Sequence, residues 1–189
     1  MESGNILEMK GVSKTFPGVK ALDKVNLTVR KGSVHALMGE NGAGKSTLMK
    51  ILYGIYQPNE GQVLFHGNDY KVSGPIDAIK SGISMIPQEI SPVSNLTVSS
   101  NVFLGKEIVR KAGIQLVNQK KIDEQTEALF EELGINIDPR AMMSDLSIAN
   151  AQLVAIATAV SYNSDLIIMD EPTSALTEKE VGQIGRAHV

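Results

Sequence analysis

The sequence predicts an α/β fold: a core of mixed or mainly parallel sheet with helices, built around a phosphate-binding loop. Three observations predict it. Gly39-Glu40-Asn41-Gly42-Ala43-Gly44-Lys45-Ser46-Thr47 fits the pattern G-x-x-x-x-G-K-[ST]. Leu166-Ile167-Ile168-Met169-Asp170-Glu171 is a short apolar run ending in two acids. The stretch before and just after the loop breaks into strand-length runs separated by turn signals, so an antiparallel β subdomain is expected at the N-terminus.

Composition narrows the class. The chain has 189 residues, a formal net charge of −3, no Cys and no Trp. That length suits one domain, or a core with an inserted lobe. There is no global basic field for nucleic acid, so none is expected as partner and phosphate binding must come from a local site. The absence of Cys removes disulfides and thiolate metal sites. No apolar run reaches membrane-spanning length, and Met1-Glu2-Ser3-Gly4-Asn5 is not a signal peptide.

The elements follow in order. Ile6–Lys10 reads as a strand, with Phe16-Pro17-Gly18 as a turn; Val25–Val29 alternates as a half-buried strand does. Val34-His35-Ala36-Leu37-Met38 is expected to be a buried strand leading into the loop, and Ser46–Leu52 the helix leaving it. Gln62–Phe65 is a further strand. Pro75 opens a short helix that runs to Lys80, and Ile83–Ile86 is a strand ending at Pro87-Gln88. From about 89 to 160 the pattern turns helical, as an inserted lobe. Its clearest piece is Lys121–Leu133, with Ile122, Thr126, Leu129 and Leu133 on one face and Gly134 as cap. Ala149–Val160 is nearly uncharged, as a buried helix would be. Thr177-Glu178-Lys179-Glu180 opens a last helix with a capping box.

The chemistry gathers at strand ends. Glycines let the loop's N–H groups turn inward as an anion nest, and the following helix adds its positive end. Lys45 would reach the β- and γ-phosphates, and Ser46 would offer its hydroxyl to Mg²⁺. Asp170, at the exit of an apolar strand, would hold Mg²⁺ directly or through water. Glu171 would polarise an attacking water as general base. Gln88 would ligate Mg²⁺ or orient water. Phe16 is either a core residue or a ring that stacks on adenine. His35 and His66 read as structural residues of strands.

Taken together these pieces resemble an ABC-type ATPase domain, the motor subunit of membrane transporters. The order is an aromatic loop (Phe16), Walker A (Gly39–Thr47), a Gln loop (Gln88), a signature (Leu146-Ser147-Ile148-Ala149-Asn150), Walker B (Leu166–Glu171) and a D-loop (Ser174–Thr177). The wording of Gly39–Gly54, Ile86-Pro87-Gln88-Glu89, Asn95–Val98 and Asn101–Gly105 is most similar to importers of monosaccharides such as ribose and galactose. There one polypeptide usually carries two such domains, and this chain resembles the first.

The resemblance implies a P-loop NTPase core and ATP with Mg²⁺ as ligands. It implies a second ATPase domain whose bound γ-phosphate meets Ser147, a transmembrane permease, and indirectly an extracytoplasmic sugar-binding protein. The place of action is the cytoplasmic face of the membrane. The other readings are a soluble ABC-type ATPase without a permease, and a piece that binds ATP without hydrolysing it. The signature departs from Leu-Ser-Gly-Gly-Gln at Ile148, Ala149 and Asn150, which would matter if the backbone needed positive φ there. A further strand ending in a switch His has no counterpart, and His188 lacks the apolar strand to serve. Residues 1–183 are therefore expected to be an incomplete ATPase domain, poorly stable and with little turnover. Ile184-Gly185-Arg186-Ala187-His188-Val189 matches one reading frame of a common sequencing adapter and is expected to be a non-native tail.

Overall fold

The computed structural model describes residues 4–88, 91–112 and 114–170. Glu171, the D-loop residues, the helix expected from Thr177 and the tail 184–189 lie outside them. The chain forms two compact units, with the boundary after Ile83.

The first unit opens with a long hairpin. β1 (Asn5–Phe16) pairs antiparallel with β2 (Val19–Arg30), and Pro17-Gly18 forms the turn. Both strands are longer than the alternation alone suggests, because register shifts along the ladder blur the period of two. β3 (Glu60–Phe65) pairs with the other side of β1, and the two-residue β4 (Asn68–Asp69) closes the sheet in the order β2-β1-β3-β4. Leu7, Met9 and Val12 are buried along β1, opposite Val63 and Phe65 of β3. This is the expected antiparallel subdomain. α1 (Lys45–Leu52) buries Leu48, Ile51 and Leu52, and the Tyr70 hydroxyl donates to the Leu52 carbonyl at 2.7 Å. α2 (Pro75–Lys80) starts at its Pro, as expected.

One expectation fails here. Val34–Met38 is not a buried strand. It lies outside every ladder, with Val34 97% and Met38 89% exposed. A strand is a pairing relationship, and among the described residues none offers this segment a partner. The apolar pattern was present without the ladder. His35 is accordingly exposed rather than packed in a strand, and His66 sits at φ 51 in the β3–β4 turn.

The second unit carries β5 (Ile83–Ile86), paired with β8 (Leu166–Met169). Between them lie α3 (Val98–Val102), β6 (Val109–Ala112), β7 (Ile114–Val117), α4 (Gln119–Leu133) and α5 (Ile148–Val160). The block expected to form a helical lobe also contains an antiparallel hairpin, β6–β7, beside its helices. The hairpin's two runs are only four residues each, too short for a period of two to stand out from the helical background. α4 ends at Gly134 in the left-handed conformation, and Phe130, rather than Leu129, takes the fully buried slot beside Ile122, Thr126 and Leu133. Val98, Val102, Phe130, Met143, Val154 and Ala157 form the core of this unit. α5 buries Leu153 and Ile156 against Ile86 of β5.

Candidate functional site

The phosphate-binding loop belongs to the first unit. Gly42 and Gly44 take φ of 84° and 88°, where an L side chain is strained. At Gly44 space forbids one as well. A Cβ there would lie 2.5 Å from the Ala21 carbonyl oxygen and 2.8 Å from Leu22 Cδ2, both on β2. The loop is therefore cradled by the hairpin, and α1 can begin only because Gly44 serves as its N-cap. The Ala43 N–H turns back to the Glu40 carbonyl at 3.1 Å, tightening the bend. Lys45 folds over the loop: Nζ donates to the Gly39 carbonyl at 2.6 Å and the Glu40 carbonyl at 3.0 Å. Ser46 and Thr47 occupy the first turn of α1, half-buried.

Phe16 lies at the hairpin end of β1. Its ladder partner is Val19, and Lys14 pairs with Leu22, the residue that abuts Gly44. Two residues along β1 therefore separate Phe16 from Lys14, whose ladder partner abuts the loop. Phe16 meets Tyr56 edge-on, with ring centroids 5.1 Å apart, and the Lys14 ammonium stands 5.4 Å and 5.9 Å from the two rings. Lys14 is held there by the Gln57 carbonyl at 2.7 Å. Both rings are half-buried. Tyr56 and Lys14 are missed by sequence reasoning. Tyr56 lies in the turn after α1 and carries no pattern that ties it to Phe16.

Gln88, Ser147 and Asp170 belong to the second unit. The Asp170 N–H donates to the Ile86 carbonyl at 3.0 Å, so Asp170 leaves β8 beside the point where the chain leaves β5 toward Gln88. The structure brings those two residues to one end of one ladder. Ser147 is the N-cap of α5, and its Oγ accepts from the Asn150 N–H at 3.2 Å. That leaves the hydroxyl proton to donate elsewhere. Ile148, Ala149 and Asn150 have no positive φ, since Lys24, His66 and Asn163 are the non-glycine cases among the described residues. The departure from glycine in the signature therefore costs the backbone nothing here. No cluster of three His, Asp or Glu side chains that would hold a metal occurs among the described residues. No helix among them is long and apolar enough to cross a membrane.

Residues 22–174 match the ABC transporter family. The chain belongs to that family. It is 60% identical over 180 residues to a ribose/galactose/methyl galactoside import ATP-binding protein of Halalkalibacterium halodurans, covering 95% of this chain and 34% of that protein. It is 52% identical over 183 residues to the galactose/methyl galactoside import ATP-binding protein MglA of Clostridium perfringens, covering 97% of this chain and 35% of that protein. This ABC chain thus spans about a third of the length of the curated relatives it matches. Among solved structures it superposes on a nucleotide-free ATP-binding cassette from an ABC transporter with a TM-score of 0.82, at 27% identity, over 97% of this chain and 75% of that one. It also superposes on the ATP-binding cassette MJ0796 bound to ADP and phosphate in a dimeric post-hydrolysis state, with a TM-score of 0.78, at 27% identity, over 96% of this chain and 80% of that one. The fold is the P-loop NTPase fold of ABC ATPases, with its antiparallel β subdomain.

Proposed function

We propose that this chain is an ATP-binding cassette of a monosaccharide importer, a unit that binds ATP with Mg²⁺ and contributes to hydrolysis that drives sugar uptake. The loop geometry carries the reading. Two left-handed glycines bend the loop into the start of α1, Gly44 packs too tightly against Ala21 and Leu22 for any side chain, and Lys45 folds over the loop. A tight glycine turn that leads into a helix N-terminus, with one cation folded over it, suits an anionic phosphate ligand. On this reading Lys45 exchanges its two carbonyl partners for phosphate oxygens, and the Gly39–Thr47 amides hold the remaining charge. Ser46, Gln88 and Asp170 are the oxygen donors for Mg²⁺, a hard cation that suits hydroxyl, amide and carboxylate oxygen. The metal would supply charge neutralisation between phosphates. Glu171 would take the proton of the attacking water, and Phe16 would stack on the base.

The names of its relatives support sugar import. On the same reading Ser147, at the α5 N-terminus, donates to a nucleotide held by a second ATPase domain. A permease and a sugar-binding protein complete the machine at the cytoplasmic face of the membrane. A second reading, binding without turnover, is favoured by the unpaired Val34–Met38 segment leading into the loop. Residues 1–183 are proposed as one ATPase unit, with 184–189 a non-native tail whose codons would identify it.

Calorimetric titration with ATP and Mg²⁺, followed by a phosphate-release assay on the same sample, tests the reading. Saturable binding that depends on Lys45 supports it. No binding by a folded chain overturns it. Binding without phosphate release selects the second reading.

A further inference from the structure

Asn41-Gly42 is the one place in the sequence where glycine follows asparagine. It lies within the phosphate-binding loop, outside every helix and strand, and both residues are exposed. Nothing stands within 4 Å of where a Cβ on Gly42 would lie. Among the described residues no hydrogen bond engages the Asn41 side-chain amide or the Gly42 N–H. One backbone bond spans the pair, from the Ala43 N–H to the Glu40 carbonyl at 3.1 Å, and Gly42 sits in the left-handed region at φ 84°.

Asparagine is chemically labile where the next backbone nitrogen can reach its side chain. A Cβ on that next residue hinders the approach, and glycine has none. Every other asparagine in the chain precedes a residue that carries a side chain.

We infer that Asn41 is a spontaneous modification site, converted to aspartate and isoaspartate through a cyclic imide while the loop is empty and spared while it is occupied. The Gly42 nitrogen gives its proton to solvent and attacks Asn41 Cγ, forming the new C–N bond. The Cγ–Nδ2 bond breaks, and Nδ2 leaves as ammonia with a proton from solvent. Water then opens the imide. Opening at Cγ leaves aspartate in an ordinary chain. Opening at the Asn41 backbone carbonyl carbon routes the chain through Cβ, as isoaspartate. One water enters and one ammonia leaves, and nothing is oxidised or reduced.

Ring closure requires Asn41 to rotate about its Cα–C bond, so the turn closed by Ala43 and Glu40 must open. That bond is exposed, with nothing packed over Gly42. Breaking it slows closure by only about fivefold relative to an open chain. Either product adds a negative charge beside Glu40, and isoaspartate also lengthens the backbone of the turn by one carbon. The protection rests on the functional reading above, in which this loop receives phosphate. A bound phosphate ligand holds the turn closed, so idle loops are marked and occupied ones are not.

The test incubates the folded 189-residue chain at mildly alkaline pH, with and without Mg²⁺ and ATP renewed throughout. Peptide mass spectrometry that separates aspartate from isoaspartate follows each site. Asn26 and Asn163 are internal controls, both exposed and followed by Leu27 and Ser164. Without ligand, Asn41 is expected to convert ahead of both, at a rate within about tenfold of its rate in denaturant. Conversion no faster than at Asn26 and Asn163 overturns the proposal. ATP at about ten times its Kd should slow Asn41 about tenfold, since only the free fraction reacts, and leave the controls unchanged. An unchanged Asn41 rate under ATP that calorimetry shows to be bound overturns the protection. Absence of ATP binding counts against the functional reading instead, and the ligand-free rates still decide whether Asn41 is a modification site. Asn41→Asp, one of the two products, should bind inorganic triphosphate at least about tenfold more weakly than wild type through like-charge repulsion. Equal affinity overturns the claim that conversion disables the loop.

Discussion

The Lys45 ammonium donates to the carbonyl of Gly39, six residues back, at 2.6 Å. The cation of the phosphate-binding loop is thus held by the loop's own backbone, and a ligand must offer better acceptors than two peptide carbonyls. Phosphate oxygens do, because they are charged. Lys45→Met is expected to lower affinity for ATP and for inorganic triphosphate alike by about 10–100-fold, the worth of one hydrogen bond to a charged group. Calorimetry on both ligands checks this. Chain stability should change by less than about 0.5 kcal/mol, since the two carbonyls are exposed and water replaces the lysine.

Gly44 combines a left-handed backbone with contact against Ala21 and Leu22. Gly44→Ala is expected to cost about 2–4 kcal/mol, the sum of left-handed strain and overpacking. Gly18 offers the control. Its φ is also positive, at 82°, but nothing lies within 4 Å of where a Cβ would stand. Gly18→Ala should cost only about 1–2 kcal/mol. Urea unfolding of the two variants side by side decides whether close approach matters beyond φ. Equal losses would show that it does not.

Phe16 and Tyr56 form an edge-on pair at the hairpin end nearest the loop. If Phe16 serves the base, Phe16→Ala should weaken ATP binding by about 5–100-fold, the usual worth of one stacking ring. Inorganic triphosphate, which has no base, should bind unchanged. Competition between the two ligands on wild type and variant gives the answer directly. An equal loss for both would return Phe16 to the core.

The signature helix gives a prediction against family expectation. Ala149 occupies the first turn of α5 with no positive φ. Restoring the more usual glycine, Ala149→Gly, gains no conformational freedom that the backbone uses. It should destabilise the chain by about 0.5–1 kcal/mol through helix propensity. A shift of the urea midpoint to lower concentration, with unchanged slope, is the expected result. Ser147→Ala should cost about 1 kcal/mol in the same assay by removing the cap on the Asn150 N–H.

Lys106 also predicts a pH dependence, and its sign can be derived. Burial lowers its folded pKa to about 8, below the ordinary lysine value. Between those two pH values the unfolded chain binds more protons than the folded one. Stability therefore rises with pH from about 8 toward about 10. Below about 8 the slope from this group vanishes, because both states are protonated. Tyr70 acts in the opposite sense above about pH 10, since burial pushes its phenol up to about 12. The window from about 8 to 10 isolates the lysine. Thermal melts of wild type and Lys106→Met across that window should differ in slope, with the rise present in wild type and lost in the variant.

Sequence reasoning succeeded where one local rule suffices. Lys45 follows a glycine at a fixed spacing, Gly134 caps α4, Pro75 opens α2, and Ile168 lies in an uninterrupted apolar run. It failed where structure depends on a distant partner. Val34–Met38 has the composition of a buried strand but no ladder to join. Val109–Val117 forms a hairpin that exists only through mutual pairing. Tyr56 meets Phe16 across forty residues of chain, and Lys106 meets Tyr162 across more than fifty. None of these pairs leaves a periodic trace. The phosphate-binding loop is nearly a local object, so its turn and the start of its helix follow from its own spacing. The ring pair beside it and the lysine niche are tertiary objects and left no trace that could be read.

The segment that leads into the loop has one more consequence. From Ser33 to Gly39 there is no charge and no proline. Its backbone donors and acceptors are outside any ladder, and Val34 and Met38 stand in water. Such a stretch is a template on which a second chain can add a strand, and then a third. The chain's fate at high concentration is therefore decided next to its phosphate-binding loop. Turbidity should precede unfolding, and its onset should depend on concentration. A single lysine at position 34 or 38 should delay it by placing a charge on the growing edge.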